Sequence, residues 1–248
     1  PLVCLTWDGT GYGDDGTAWG GETLQADFSE YKRIASLEPI PLLGGDRAVI
    51  DPKRVITAIQ LKLKREPTFV KKGEVGVYAK MLDKSITASS MGRVLDSVSC
   101  ILGICCKRTY EGEPAIKLEK WLKKGEPKFD FELEFGKRGG LEYGKTLPMF
   151  DRLLDMELDS DKMRADAAAA FVKTLAFGMA DHACSYADGQ GLKQVGVTGG
   201  VSYNGPITAW VKETVEKRGL EFVGHERISN GDGGISTGQN AIAGSLLG

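Results

Sequence analysis

The chain has 248 residues, 42% hydrophobic and 27% charged, enough for one large domain or two modest lobes around a substantial core. A formal net charge of -2, with basic residues spread along the chain, argues against a nucleic-acid face or a membrane-surface patch. No apolar run approaches a membrane span and no signal peptide opens the chain, so a cytoplasmic protein meeting small molecules or other proteins is expected.

Five cysteines, Cys4, Cys100, Cys105, Cys106 and Cys184, lack the C-x-x-C spacing of a zinc ribbon or redox site and are expected to be reduced, mostly buried thiols. With only His182 and His225 available, no complete histidine-based metal site can be assembled.

In chain order, Leu2-Val-Cys-Leu-Thr-Trp7 is a β-prone run that ends at Asp8-Gly-Thr10-Gly11-Tyr-Gly, and Ala18 to Leu24 follows as its hairpin partner. A strand ending in D-G-T-G resembles the phosphate loops of actin-like ATPases and sugar kinases, in which the carboxylate handles a metal and the glycine backbone admits phosphate oxygens. The Pro/Gly-rich linker Leu37 to Asp46 leads to a helix capped by Asp51 with Pro52 in its first turn. A second helix, from about Ser90 to Cys105, buries Met91, Val94, Leu95, Val98, Ile101 and Leu102. At its start Ser89, Ser90 and Arg93 cluster where backbone N-H groups are free, and Asp96 lies one turn further near the same face. Glu111 then sits in a tight turn ahead of a short helix.

Phe129-Asp-Phe-Glu-Leu-Glu-Phe135 alternates strictly and predicts a strand. Gly139 to Thr146 matches G-x-x-x-x-G-K-[ST], but a P-loop needs a buried strand before it and a helix starting at the lysine. The run before it is half charged and Pro148 delays the next helix, so the match is read as accidental and Lys145 as solvated. A P-loop nucleotide-binding enzyme remains the competing class.

Asp161 to about Tyr186 is a long alanine-rich helix with His182 on its apolar stripe, read as a hydrogen-bonded core histidine. Gln194 to Thr198 predicts a buried strand, Gly199-Gly200 a backbone turn, and Asn204-Gly-Pro206 the cap of another helix. Leu220 to Gly224 supplies a further strand. Its exit is Ile228-Ser-Asn-Gly-Asp232-Gly-Gly-Ile-Ser-Thr-Gly-Gln239, an acidic glycine turn running into an apolar helix from about Gly233 that closes the protein. In such a parallel crossover unit ligands sit beyond the carboxyl ends of the strands, where Gly199, Gly200 and Asp232 fall.

The ordered set of Asp8-Gly-Thr-Gly-Tyr-Gly, Pro41-Leu-Leu-Gly-Gly-Asp46, Ser89-Ser-Met-Gly-Arg-Val-Leu-Asp96, Tyr110-Glu-Gly112, Gly199-Gly-Val201 with Asn204, and Asp232-Gly-Gly-Ile-Ser-Thr-Gly-Gln239 resembles the HypF-type hydrogenase-maturation carbamoyltransferases across essentially the whole chain. The resemblance implies an α/β fold of the actin-like ATPase (ASKHA) type, here its C-terminal portion. Residues 1-46 would form the hairpin with its phosphate and metal loop, 47-190 a mainly helical insertion, and 191-248 the nucleotide-binding crossover unit. It implies transfer of a carbamoyl group from carbamoyl-adenylate, made from ATP and carbamoyl phosphate in a separate domain, to the C-terminal cysteine of HypE.

By the same resemblance Asp8 and Asp232 are metal ligands, for zinc or iron. Thr10, Gly11, Gly199, Gly200, Asn204 and Gly233 bind the nucleotide. Ser90, Arg93, Asp96 and Glu111 lie near the carbamoyl and phosphate groups. The family's H-H-x-A-H metal motif and its upstream domains are not in the sequence, so the chain is expected to be a C-terminal segment or a split subunit. The histidine ligands are then expected from outside it, from the missing N-terminal HypF domains or a separate subunit. The alternative is a binding module, inactive alone, that needs such a partner.

Overall fold

The computed structural model describes residues 1-247. The chain opens with a meander of β1 (Leu2–Tyr12), β2 (Ala18–Ala26) and β3 (Tyr31–Leu37), then β4 (Ile40–Pro41). Next come α1 (Asp46–Ile50), α2 (Pro52–Lys62), α3 (Lys72–Met81), β5 (Thr87–Ala88), α4 (Met91–Ile101) and α5 (Glu113–Leu122). A hairpin, β6 (Phe135–Arg138) and β7 (Leu141–Gly144), precedes α6 (Leu147–Leu154) and α7 (Asp161–Gly189). The crossover unit of β8 (Gln194–Thr198), α8 (Gly205–Lys217) and β9 (Glu221–Val223) leads into α9 (Ile235–Leu247).

One sheet runs through the molecule in the order β6-β7-β3-β2-β1-β8-β9. The meander pairs antiparallel, whereas β1-β8, β8-β9 and β3-β7 are parallel. Alternation in β1 drives this: Val3, Leu5 and Trp7 are fully buried. Helix α7 carries a run of buried alanines, Ala167 to Ala170 and Ala176, Ala180, Ala183 and Ala187, whose small side chains let it approach the sheet closely. The buried face of α4, with Met91, Val94, Leu95 and Val98, completes the core. The largely helical stretch between β5 and β8 contributes β6 and β7 to the same sheet through β3.

Four expectations meet corrections or tests here. Phe129 to Leu133 does not pair as a strand, and sheet pairing starts only at Phe135. The alternation instead marks an extended segment clamped by its side chains, with Phe131 edge-on to Phe171 at 5.3 Å between ring centroids. Gly139 and Gly140, at φ of 58° and 89°, form the turn of the β6-β7 hairpin, and Lys145 pairs with Glu134 at 2.8 Å, so this stretch is not a P-loop.

Cys100 and Cys106 are disulfide-bonded, because the turn after α4 brings their Cα atoms to 4.4 Å; Cys4, Cys105 and Cys184 are free thiols. The expected closing apolar helix is present as α9, starting at Ile235 and exposed along its length, Ile235, Ile242, Leu246 and Leu247 included. No helix among the described residues is long and apolar enough to cross a membrane.

Candidate functional site

Midway along β1, just past the carboxyl end of its pairing with β8, the regular ladder is interrupted. The β1-β2 register shifts between Trp7 and Gly11, so Asp8, Gly9 and Thr10 bulge out of the pairing, and a bulge re-aims side chains. Helix α4 begins against this bulge. Its N-cap Ser90 accepts from Arg93 N at 3.1 Å, and the same hydroxyl donates to Asp8 O at 3.1 Å and contacts Gly9 O. The approach demands glycine: a Cβ on Gly92 would stand 2.7 Å from Gly9 Cα, and one on Gly20 2.6 Å from Asp8 O.

One turn along α4, Arg93 and Asp96 are 4% and 1% exposed and form an ion pair, Nη2 to Oδ2, at 2.7 Å. Burial pulls the guanidinium below its ordinary value and pushes the carboxyl above its own, and each charge opposes the shift in the other. Arg93 Nε and Nη1 and Asp96 Oδ1 are buried without a hydrogen-bond partner. Unspent buried donors of this kind suit an anionic or carbonyl oxygen.

The crossover unit closes the other side. Gly199 N donates to Asn230 O at 2.9 Å, and Asn230 Nδ2 to Ser202 Oγ at 2.9 Å, tying the β8 exit to the last turn. Tyr203 OH meets Ser229 Oγ at 2.6 Å and accepts from Asn230 N at 3.0 Å. Asn204 caps α8 through Ile207 N, and Asp232 starts a short 3-10 turn before α9. Between these walls lies a cavity of about 930 Å³, closed on its third side by α1 and residues 108-119.

Asp8, Thr10, Arg93, Asp96, Glu111, Gly200, Asn204 and Asp232 all line this one cavity. Asp8 Oδ1 lies so close to the Gly200 backbone that a Cβ there would be 2.9 Å away. Ser90, Gly11, Gly199 and Gly233 do not line it. Ser90 spends its hydroxyl as cap and strut, while Gly11 is back in the ladder opposite Trp19. A Cβ on Gly199 would stand 2.3 Å from Trp7 O, which places its backbone against β1, and Gly233 lies in the turn before a helix that starts only at Ile235. Sequence reasoning missed Asp46, Ile50, Arg108, Tyr110, Glu119 and Tyr203 in the lining. Three of them had a signal: Asp46 ends and Tyr110 opens motifs already singled out, and Arg108 stands three residues before Glu111, to which it pairs at 3.4 Å.

Two carboxylates, Asp8 and Asp232, are fewer donors than a closed metal site requires, and the described residues hold no group of three or more His, Cys, Asp or Glu that could bind a metal. The donor set present therefore does not fit a metal by itself, and no step below is routed through one.

The family model for the carbamoyltransferase, Kae1-like domain, second subdomain, matches residues 4–239. The chain belongs to this family. It is 35% identical to the probable carbamoyltransferase HypF of Methanocaldococcus jannaschii, over 96% of this chain and 32% of that protein. The crystal structure of T. kodakarensis HypF superposes with a TM-score of 0.83 at 32% identity, covering 99% of this chain and 34% of that one. Full-length HypF in its phosphate- and nucleotide-bound form gives 0.82 at 25% identity, over 99% and 33%. The Kae1-like chain thus has the actin-like α/β fold expected of it and spans about a third of the length of these relatives.

Proposed function

We propose that the cavity is part of a carbamoyl-transfer site: it takes the carbamoyl group of carbamoyl-adenylate and passes it to the C-terminal cysteine thiol of HypE during synthesis of the cyanide ligands of nickel-iron hydrogenase. The observation that carries this reading is Arg93, a buried guanidinium with two unpartnered nitrogens, among the residues lining a cavity in a chain of a carbamoyltransferase family. In the transfer the thiolate sulfur attacks the carbamoyl carbon, a C-S bond forms, the C-O bond to phosphate breaks, and AMP leaves with that electron pair. Arg93 stabilises charge on the departing phosphate, and the backbone around Gly200 together with Asn204 flanks the nucleotide. The apolar part of the lining, Ile50, Ile116 and Val201, suits the base. Because the chain spans about a third of its relatives, this activity is ascribed to the complete carbamoyltransferase that contains it.

In that complete enzyme, Asp8→Ala or Asp232→Ala is expected to abolish carbamoylation of the acceptor cysteine, followed by mass spectrometry, while ATP hydrolysis dependent on carbamoyl phosphate continues. Near wild-type carbamoylation in both variants would sink the reading. Lys145→Ala tests the competing class: nucleotide binding is expected to be unchanged, since Lys145 is paired to Glu134 away from the cavity.

A further inference from the structure

Outside the cavity, behind the Asp8 bulge, lies a second polar cluster that the transfer chemistry does not use. Glu22 on β2 is 1% exposed, a rare burial for a carboxylate. Its Oε2 accepts from Gly20 N at 2.5 Å and Gly21 N at 2.8 Å. Its Oε1 accepts from Arg33 Nη2 at 3.0 Å and from the Ser89 hydroxyl. Arg33 in turn stacks over Trp19, 4.2 Å from the ring centroid, and pairs with Asp15 at 2.8 Å. Four donors thus converge on one side chain, and only an acceptor-only group satisfies them all; the isosteric amide would point an N-H₂ at one donor pair.

The donors are placed informatively. Gly20 is the residue whose backbone packs on Asp8 O, and Ser89 precedes Ser90, whose hydroxyl holds Asp8 O and Gly9 O. Gly21 presses on Ser89 itself, where a Cβ would lie 2.1 Å from Ser89 O. The two segments that clamp the Asp8-Gly9 backbone, one from β2 and one from the start of α4, are therefore joined through this carboxylate, beside the bond from Ser89 N to Ala18 O at 3.0 Å. We infer that Glu22 is a positioning residue: by locking Gly20-Gly21 to Ser89 it sets the backbone of Asp8 and Gly9, and through them the place of the Asp8 carboxylate in the cavity. The role of Asp8 in transfer rests on the reading proposed above; the mechanical coupling does not.

Two readouts separate these claims. In amide NMR spectra of the chain, Glu22→Gln is expected to move the resonances of Asp8, Gly9 and Arg93 as well as those of its direct neighbours Gly20, Gly21, Arg33 and Ser89. Ser89→Ala, which deletes one donor and keeps the fold, should produce a smaller displacement in the same direction. Shifts confined to the direct neighbours in both variants overturn the inference. In the complete carbamoyltransferase, folded Glu22→Gln should lower kcat for thiol carbamoylation by about 10²-fold with KM little changed, the expected size for a misplaced catalytic group. An unchanged kcat beside an inactive Asp8→Ala enzyme also overturns it. Should Asp8→Ala prove active, the role of Asp8 in transfer fails alone, and the amide shifts still decide the case for Glu22.

Discussion

The turn around Asp8 and the turn around Asp232 are alike in composition, each a carboxylate set among glycines at the cavity edge, yet the first is gripped by its backbone from two sides and the second is held only through its neighbours, by two side chains and one backbone bond. Ser90 Oγ, Gly92 and Gly20 close on Asp8 and Gly9, and the buried Arg93-Asp96 pair lies beneath them. The Asp232 turn is held by Tyr203, Ser202 and Gly199 through its neighbours Ser229 and Asn230, and continues into the exposed α9. Similar sequence chemistry thus produces one preorganised edge and one adaptable edge. A site that must admit a nucleotide and then an acceptor thiol can use both, the first to orient and the second to give way.

The contrast breaks most sharply at Arg93. Arg93→Ala strands Asp96 as an unpaired buried carboxylate and should cost about 3-5 kcal/mol, whereas Asp232→Ala on the open edge should stay within about 0.5 kcal/mol. Denaturant titration of the two variants checks this. The double variant Arg93→Ala/Asp96→Ala should recover part of the loss, because it removes the stranded charge along with its partner.

Gly92→Ala against Gly233→Ala repeats the comparison without charge. A Cβ at Gly92 meets the Gly9 backbone at 2.7 Å, which cannot step aside, while at Gly233 the nearest atom is the side-chain Ser229 Oγ at 3.1 Å, which needs to give by only a few tenths of an ångström. Overpacking at the first should cost about 1-3 kcal/mol, and at the second less than about 0.5 kcal/mol. Thermal melts that drop equally for both would remove the distinction between the edges.

Within the looser edge, Tyr203→Phe deletes the hydroxyl that accepts from Asn230 N and meets Ser229 Oγ. A loss of about 1 kcal/mol, confined to that turn, is expected. It should appear as faster hydrogen exchange at Asn230 with little change at Gly9 or Arg93.

Much of this was legible in the sequence, for a physical reason. Apolar alternation in β1 and the cap residues Ser90, Asp51 and Asn204 act within a few residues, so the strand and the helix starts could be read directly. Phe129 to Phe135 misled because alternation reports a segment with one face buried, and packing on α7 buries one face as well as a neighbouring strand does. At Ser90 the sequence is ambiguous, because an N-cap and a site serine look the same until the tertiary partner, here Asp8 O, is known. Glu119 and Tyr203 could not be found for the converse reason: segments far apart in sequence deliver them to the cavity, and no local pattern encodes that meeting. The disulfide escaped because spacing alone does not say that the turn after α4 doubles back.

The smallest effect concerns the tip of the firmer hairpin and has a defined sign. Partial burial pushes the Asp15 carboxyl up, but hydrogen bonds from Thr17 Oγ1, Thr17 N and Trp19 Nε1, with the Arg33 charge, outweigh it and hold the group at about 2. The folded value lies below the unfolded one of about 3.9, so Asp15 contributes stability that is fully present above pH ~4 and is lost as pH falls toward 2. Asp15→Asn should therefore lower the melting temperature slightly at pH 6 and leave it nearly unchanged near pH 2, so that the two melting curves converge on acidification. The side chain is 45% exposed, which limits the difference to roughly a degree or two. Asp27 and Glu113, also held at about 2, keep most of the acid limb in place in the variant. Because Arg33 bridges Asp15 and Glu22, a gap between the curves that persisted to pH 2 would mean that the substitution had disturbed the Glu22 cluster itself, and the hairpin tip and the Asp8 clamp would then have to be treated as one unit.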